Sequence, residues 1–197
     1  MSNALPRPHL ESRVSIERCL LARRSVRSYR SGPLTLAETG QLLWAAQGIT
    51  AEGYLRTAPS AGALYPLETY LVAGELEALA PGVYHYRPER HDLVLAKSGD
   101  LRRDLARAAG GQDCVRDGAI TVLFAAVYAR TGSKYGERAA RYVHMEAGHA
   151  AQNLCLQATA LGLGVVTVGA FHDEQVQRIT GLPRDEEPIY LMPAGRR

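Results

Sequence analysis

Arg23, Arg24, Arg27 and Arg30 crowd one short stretch, which reads Arg23-Arg24-Ser25-Val26-Arg27-Ser28-Tyr29-Arg30. A guanidinium is a planar fork of donors that matches phosphate oxygens. Ser25 adds a hydroxyl. In an extended segment alternate side chains share a side, so Arg23, Ser25 and Arg27 point one way and Arg24 the other. Such a triplet can grip a phosphate and the polyol next to it. A solvated basic loop has the same composition. A second stretch, Thr57-Ala58-Pro59-Ser60-Ala61-Gly62-Ala63-Leu64-Tyr65-Pro66, is built of small residues. There a flat ring can lie close to the backbone and bond to free N–H groups. Taken alone, it reads as an ordinary turn. A third stretch, residues 162–171, joins a helix stop to a buried strand, and Gly169 within it can turn an N–H toward a ligand. Its glycines precede a strand and lack the G-x-G-x-x-G spacing, so a dinucleotide site of that kind is not indicated.

The bulk numbers limit the alternatives. A chain of 197 residues, 46% hydrophobic, suffices for one compact domain. We expect a loose arm over residues 1–10 and one domain over 11–197. No apolar run approaches the roughly 18 residues of a membrane helix, and residues 1–10 hold no secretory core. No membrane partner and a cytoplasmic location are therefore expected. Cys19, Cys114 and Cys155 are far apart and odd in number, which suits reduced core thiols. The histidines form no HExxH pattern, and no metal site is expected. A net charge of only +3, without extended basic–aromatic interleaving, argues against a nucleic-acid partner.

Periodicity supplies the elements that must hold these stretches. Residues 12–23 read as a helix with Val14, Ile16, Leu20 and Leu21 as apolar positions. A second helix opens at Thr35 with a capping box closed by Glu38, carries Leu36, Leu42, Leu43 and Ala46, and stops at Gly48. Residues 54–66 read as loop. Strands follow at 67–73 and 83–87, the latter with Tyr84 and Tyr86 on one face. A turn at 88–91 returns the chain along 93–97 as a hairpin. A short helix at 100–109 precedes an apolar, β-branched run at 119–128 that suits a central strand. The longest helix is expected over 136–162. Val143, Ala147, Ala150, Leu154, Ala158 and Leu161 form its stripe. Gly148, Ala151, Cys155 and Thr159 form a second, small-residue face, where another helix could approach. A strand at 165–171, a short helix capped by Asp173 and ending at Gly181, and a last strand at 188–192 complete the chain. Without regular βαβ alternation this is an α+β domain.

Together these stretches resemble the nitroreductase superfamily of FMN enzymes, and most closely its SagB/ThcOx branch of azoline dehydrogenases, which act on ribosomally made peptides. The resemblance runs from about Arg18 to Arg197. It rests on R-R-S-V-R-S-Y at 23–29, P-S-A-G-A-L-Y-P at 59–66, P-G-V-Y-H-Y at 81–86, K-Y-G-E-R-A-A-R-Y at 134–142, E-A-G-H-A-A-Q-N-L at 146–154 and G-L-G-V-V-T-V-G-A-F at 162–171. It implies a nitroreductase-like fold, a central mainly antiparallel sheet flanked by helices, with the long helix at a homodimer interface. It also implies two FMN sites at that interface. Arg23, Arg24, Ser25 and Arg27 would hold the phosphate and ribityl chain, and Arg196 would close on the phosphate. Pro59, Ser60, Ala61 and Gly62 would approach the flavin from the second subunit. Val168, Gly169 and Ala170 would line the ring edge and offer an N–H to N5. Many nitroreductases have asparagine where Ala63 stands, so that amide contact would be missing.

Lys134 and Tyr135 match a Lys-Tyr pair linked to catalysis in the azoline-oxidising branch. Making an azole removes a proton from carbon and passes a hydride to N5, and a lysine or tyrosine can be the base. A surface lysine and a packed tyrosine at a helix start would look the same. Peptide-modifying members often carry extra N-terminal domains or work in complexes. Three functions follow from the resemblance: azoline-to-azole oxidation, NAD(P)H-driven reduction of quinones or nitro compounds, and a non-catalytic flavin-binding subunit of a modifying complex.

Overall fold

The computed structural model describes residues 2–51 and 55–197; Tyr54, the first residue of the expected loop, lies outside the described residues. The chain runs β1 (Ser2–Ala4), α1 (Ile16–Ala22), α2 (Leu36–Gln47), β2 (Ile49–Ala51), β3 (Leu55–Arg56), β4 (Leu67–Ala73), β5 (Gly82–Arg87), β6 (Asp92–Ser98), α3 (Arg102–Ala108), α4 (Asp113–Asp117), β7 (Ile120–Ala126), α5 (Tyr128–Tyr135), α6 (Ala139–Ala160), β8 (Leu163–Val165), α7 (Asp173–Thr180) and β9 (Glu187–Arg196). Every residue of β7 is buried, so helices must cover both faces of the sheet that holds it. That sheet has seven strands in the order β1-β6-β5-β4-β7-β9-β8, all antiparallel. The period-two alternation of β7 sorts its side chains. Ile120, Val122 and Phe124 face the layer of α2 and α6. Leu123 and Ala125 face α3, α4 and α7. This is the expected α+β arrangement of a mainly antiparallel sheet between helical layers. No helix among the described residues is long and apolar enough to cross a membrane.

Local sequence explains most boundaries. Thr35 and Glu38 form both halves of the capping box, and the Gly48 N–H bonds the Trp44 carbonyl at the far end of α2. The hairpin of β5 and β6 turns where expected. Gly136, at φ +52°, separates α5, a helix the sequence reading did not include, from α6, which lies within the helix expected over 136–162.

Five expectations need correction. The N-terminal arm is not loose: Ser2–Ala4 pairs with β6, and Leu5 is buried. Helix α1 is shorter than expected, and Ile16, Leu20 and Leu21 are exposed, with only Cys19 buried. The strand expected over 165–171 ends at Val165; among the described residues only a Val166 N–H bond to the Pro193 carbonyl and a bridge from Val168 to Leu191 follow. His172, not Asp173, is the N-cap of α7, leaving Asp173 and Glu174 in its first turn, where carboxylates suit the helix dipole. The small-residue face of α6 is filled only in part within the chain, since Gly148 stays exposed. Ala151 and Cys155 are buried in its own core, and α1 and α2 pack there. The stripe left outward carries Arg141, Met145, Gly148, His149 and Gln152.

The arginine stretch lies along the β8–β9 edge because two glycines let it. A Cβ on Gly164 would stand 2.7 Å from Val26 Cγ1, and one on Gly195 2.9 Å from Tyr29 Cγ. Gly164→Val is expected to overpack this contact at a cost of about 1–3 kcal/mol. At roughly 2–4 °C per kcal/mol, calorimetry would read a fall of several degrees in Tm. An unchanged Tm would mean the stretch is free to lift off the sheet.

Candidate active site

Two patches gather the chemistry. The first follows α1. The chain leaves that helix at Arg23 and runs extended, with the Val26 N–H on the Val165 carbonyl (3.0 Å) and the Arg30 N–H on the Arg196 carbonyl (3.0 Å). The buried end of Tyr29 locks it further by donating its hydroxyl to the Pro193 carbonyl at 2.9 Å. Arg23 is half-buried, while Ser25 and Arg27 are exposed. None of the three takes part in an ion pair among the described residues. Burial pushes the Cys155 thiol up and the Arg23 charge pulls it partly back, which sets Arg23 beside the C-terminal half of α6. Arg27 acts the same way on Cys114 of α4.

Two other arginines of the expected set are occupied elsewhere. The Arg24 guanidinium turns back to the Leu21 and Arg23 carbonyls, at 3.0 and 2.7 Å, and so caps the end of α1. Arg196 is the last residue of β9. It grips the Glu38 carboxylate with both terminal nitrogens and donates to the Pro33 carbonyl at 3.1 and 2.8 Å. Burial raises the Glu38 carboxyl, but hydrogen bonds from Arg196 and Thr35 outweigh it and hold the group below the usual carboxylate range. Past β8, Val168 exchanges both backbone bonds with Leu191 (2.8 and 3.0 Å). Gly169 and Ala170 then emerge exposed, and among the described residues no backbone carbonyl accepts their N–H groups.

The second patch is the turn at 57–66. It is braced from several sides. Asn153 of α6 donates to the Thr57 carbonyl at 3.1 Å, and Thr57 donates to the Trp44 carbonyl at 3.1 Å. The Tyr65 N–H donates to Ser60 Oγ at 2.9 Å, and Arg130 donates to the Tyr65 carbonyl at 3.0 Å. The Arg56 guanidinium lies 4.6 Å over the Tyr65 ring. Within the turn Gly62 has φ +65°. A Cβ there would stand 3.0 Å from the Tyr135 hydroxyl and 3.1 Å from Lys134 Nζ. Both side chains come from the end of α5 rather than from a helix start, and both reach the turn. Tyr135 is fixed edge-on to Tyr142, with ring centres 4.8 Å apart. An amine and a phenol therefore stand over bare backbone, where a flat substrate can approach a proton donor or acceptor.

One residue of this patch was not singled out in the sequence. Glu146 of α6 is 2% exposed, the Ser60 hydroxyl acts on its carboxyl, and its Oε1 has no partner among the described residues. The signal was available: an acid at a helix position flanked by Val143, Ala147 and Ala150, all inward-facing.

The mainly antiparallel sheet between helical layers is a nitroreductase-like fold. The chain belongs to the nitroreductase family, whose model matches residues 20–196. It is thus a flavoprotein oxidoreductase by family. A protein of Methanocaldococcus jannaschii named as a nitroreductase is 47% identical over 190 residues, covering 96% of this chain and 94% of the relative. A solved structure from Anabaena variabilis, also named as a nitroreductase, is 34% identical with TM-score 0.82 over 92% of this chain; the match spans 38% of that longer chain. The Escherichia coli microcin synthetase complex, solved with a truncated pro-peptide bound, contains a chain 26% identical with TM-score 0.76, over 99% of this chain and 78% of that one.

Proposed function

We propose that this protein is an FMN-dependent, SagB-like dehydrogenase that works as a homodimer. The observation that carries this reading is the separation of the two patches on α6. Arg23 sits by Cys155 and Ser60 by Glu146, nine residues apart, or about 14 Å along the helix. One protomer thus offers the phosphate grip and the proton-handling pair on different patches, and a second copy would bring them together. The residues present fit FMN. Arg23, Ser25 and Arg27 are donors without partners, suited to a phosphate and ribityl chain. Exposed N–H groups at Gly169 and Ala170 suit a ring edge. The turn at Pro59, Ser60, Ala61 and Gly62 is narrow enough for a flat ring to lie against it. Arg24 and Arg196 would serve only after leaving their present carbonyl and carboxylate partners.

When bound, FMN supplies the hydride acceptor at N5. Lys134 and Tyr135 would remove the proton from the substrate carbon and, with Gly62, set the gap the substrate enters. The peptide-bound microcin synthetase neighbour supports a peptide as substrate, and the family resemblance supplies the azoline. A second reading, NAD(P)H-driven reduction of quinones or nitro compounds, is favoured by the name of the M. jannaschii relative. The deciding experiment is simple. The purified protein should be a yellow dimer that releases FMN on denaturation. It should then be assayed with an azoline peptide and, separately, with NAD(P)H and menadione. A colourless monomer that refuses FMN would refute the proposal; flavin without either activity would point to a non-catalytic subunit.

A further inference from the structure

Around the turn at 57–66 lies a knot of buried polar atoms without partners: Glu146 Oε1, Arg56 Nε and Gln47 Nε2. Buried polar groups are almost always satisfied, so each such atom asks for an explanation. Gln47 and Arg56 are joined, since Arg56 donates to Gln47 Oε1 at 2.9 Å. The Arg56 charge in turn acts on Glu146. On its other side, α6 packs against the Ala61–Ala63 turn, and the Ser60 hydroxyl, which accepts the Tyr65 N–H at 2.9 Å, acts on the Glu146 carboxyl. The chain of contacts therefore runs from α6, through one hydroxyl, to both ends of the turn that faces Lys134 and Tyr135.

We propose that Glu146 is a positioning residue: its buried carboxyl, acting through Ser60, fixes the Ser60–Gly62 turn in the shape that receives the flavin and substrate. This rests on the flavin reading given above for its functional consequence, but not for its structural one. Burial pushes the Glu146 carboxyl up to about 7, against the smaller opposing pulls of the Ser60 hydroxyl and the Arg56 charge. Arg56 of β3 is the charged group that acts on it. Lys134 and Tyr135 of α5 face the same turn from its outer side. Because the folded value lies above the usual one of 4.5, the stability that this group contributes is complete below pH ~4.5 and is lost as pH rises through about 7. Ionisation would leave a buried charge with one unmatched oxygen, and the turn would loosen to admit water.

Glu146→Gln keeps the shape of the neutral acid and its acceptor for Ser60 but cannot ionise. In flavin-free protein, Tm of the wild type should fall between pH 5.5 and 8.5 by about 5 °C more than that of Glu146→Gln. With FMN, the wild-type Kd should weaken roughly tenfold over that range, while Glu146→Gln keeps its acid-side value. Glu146→Ala should bind weakly at every pH, with glutamine as the rescuing substitution. Parallel pH curves for wild type and Glu146→Gln, or an alanine variant that binds FMN as tightly as wild type, would overturn the assignment. Should no form bind FMN, the flavin reading fails, and the Tm comparison still decides whether Glu146 holds the turn.

Discussion

The double variant Arg23→Ala, Arg27→Ala should purify as a folded but colourless protein. Arg23 is half-buried and Arg27 exposed, and neither pairs with an acid among the described residues, so their loss removes no ion pair from the fold. What it removes is the donor set proposed to face the FMN phosphate. A hydrogen bond to a charged group contributes about 1.5–3 kcal/mol. Two lost arginines should therefore weaken FMN by roughly 10²- to 10⁴-fold. Fluorescence quenching of added FMN would measure this, with Tm confirming the fold. Arg24→Ala is the control. Its guanidinium caps the end of α1 through the Leu21 and Arg23 carbonyls, so it should cost stability and change flavin affinity by less than about tenfold. Equal flavin loss in both variants would show that Arg24 leaves its cap to join the site.

The second large effect concerns Lys134 and Tyr135. If the chain dehydrogenates azolines, Lys134→Ala and Tyr135→Phe should each lower kcat by about 10²- to 10⁴-fold while the protein stays yellow, because proton removal is lost and flavin binding is not. If it is instead an NAD(P)H-driven reductase, quinone turnover needs no such base, and both variants should stay within a few-fold of wild type. Steady-state kinetics on flavin-loaded protein separate the two readings. The geometry sharpens the expectation. Both reactive atoms would stand within 3.1 Å of a Cβ at Gly62, and Gly62 is at φ +65°. A larger residue there is strained as well as obstructive.

How much of this was legible in the chain depended on range. The capping box of α2 is written in residues three apart, and the hairpin of β5 and β6 in residues on either side of one turn, so both were readable. The central strand β7 was readable from its unbroken apolar run. The exposed apolar residues of α1 misled, because a periodic stripe reports amphipathicity and not what covers it. The strand expected at 165–171 failed for the same reason. An apolar run suits a strand, yet β9 offers pairing only as far as Val165 and again at Val168. The arginines and the Lys-Tyr pair could be singled out by residue type. Nothing local could say that Arg24 and Arg196 are bound to other partners, or that Glu146 stands behind Ser60.

The sequence by itself determined the α+β class, the capped second helix, the central strand and the residue types able to hold a phosphate or move a proton. These follow from side-chain chemistry and short-range periodicity, which act within a few residues. Only the tertiary structure decided that Lys134 and Tyr135 meet Gly62, that Arg196 is held by Glu38, and that Ala151 and Cys155 of α6 are covered by its own chain. Those outcomes depend on contacts between residues tens of positions apart, and such contacts are settled by how the layers pack against one sheet.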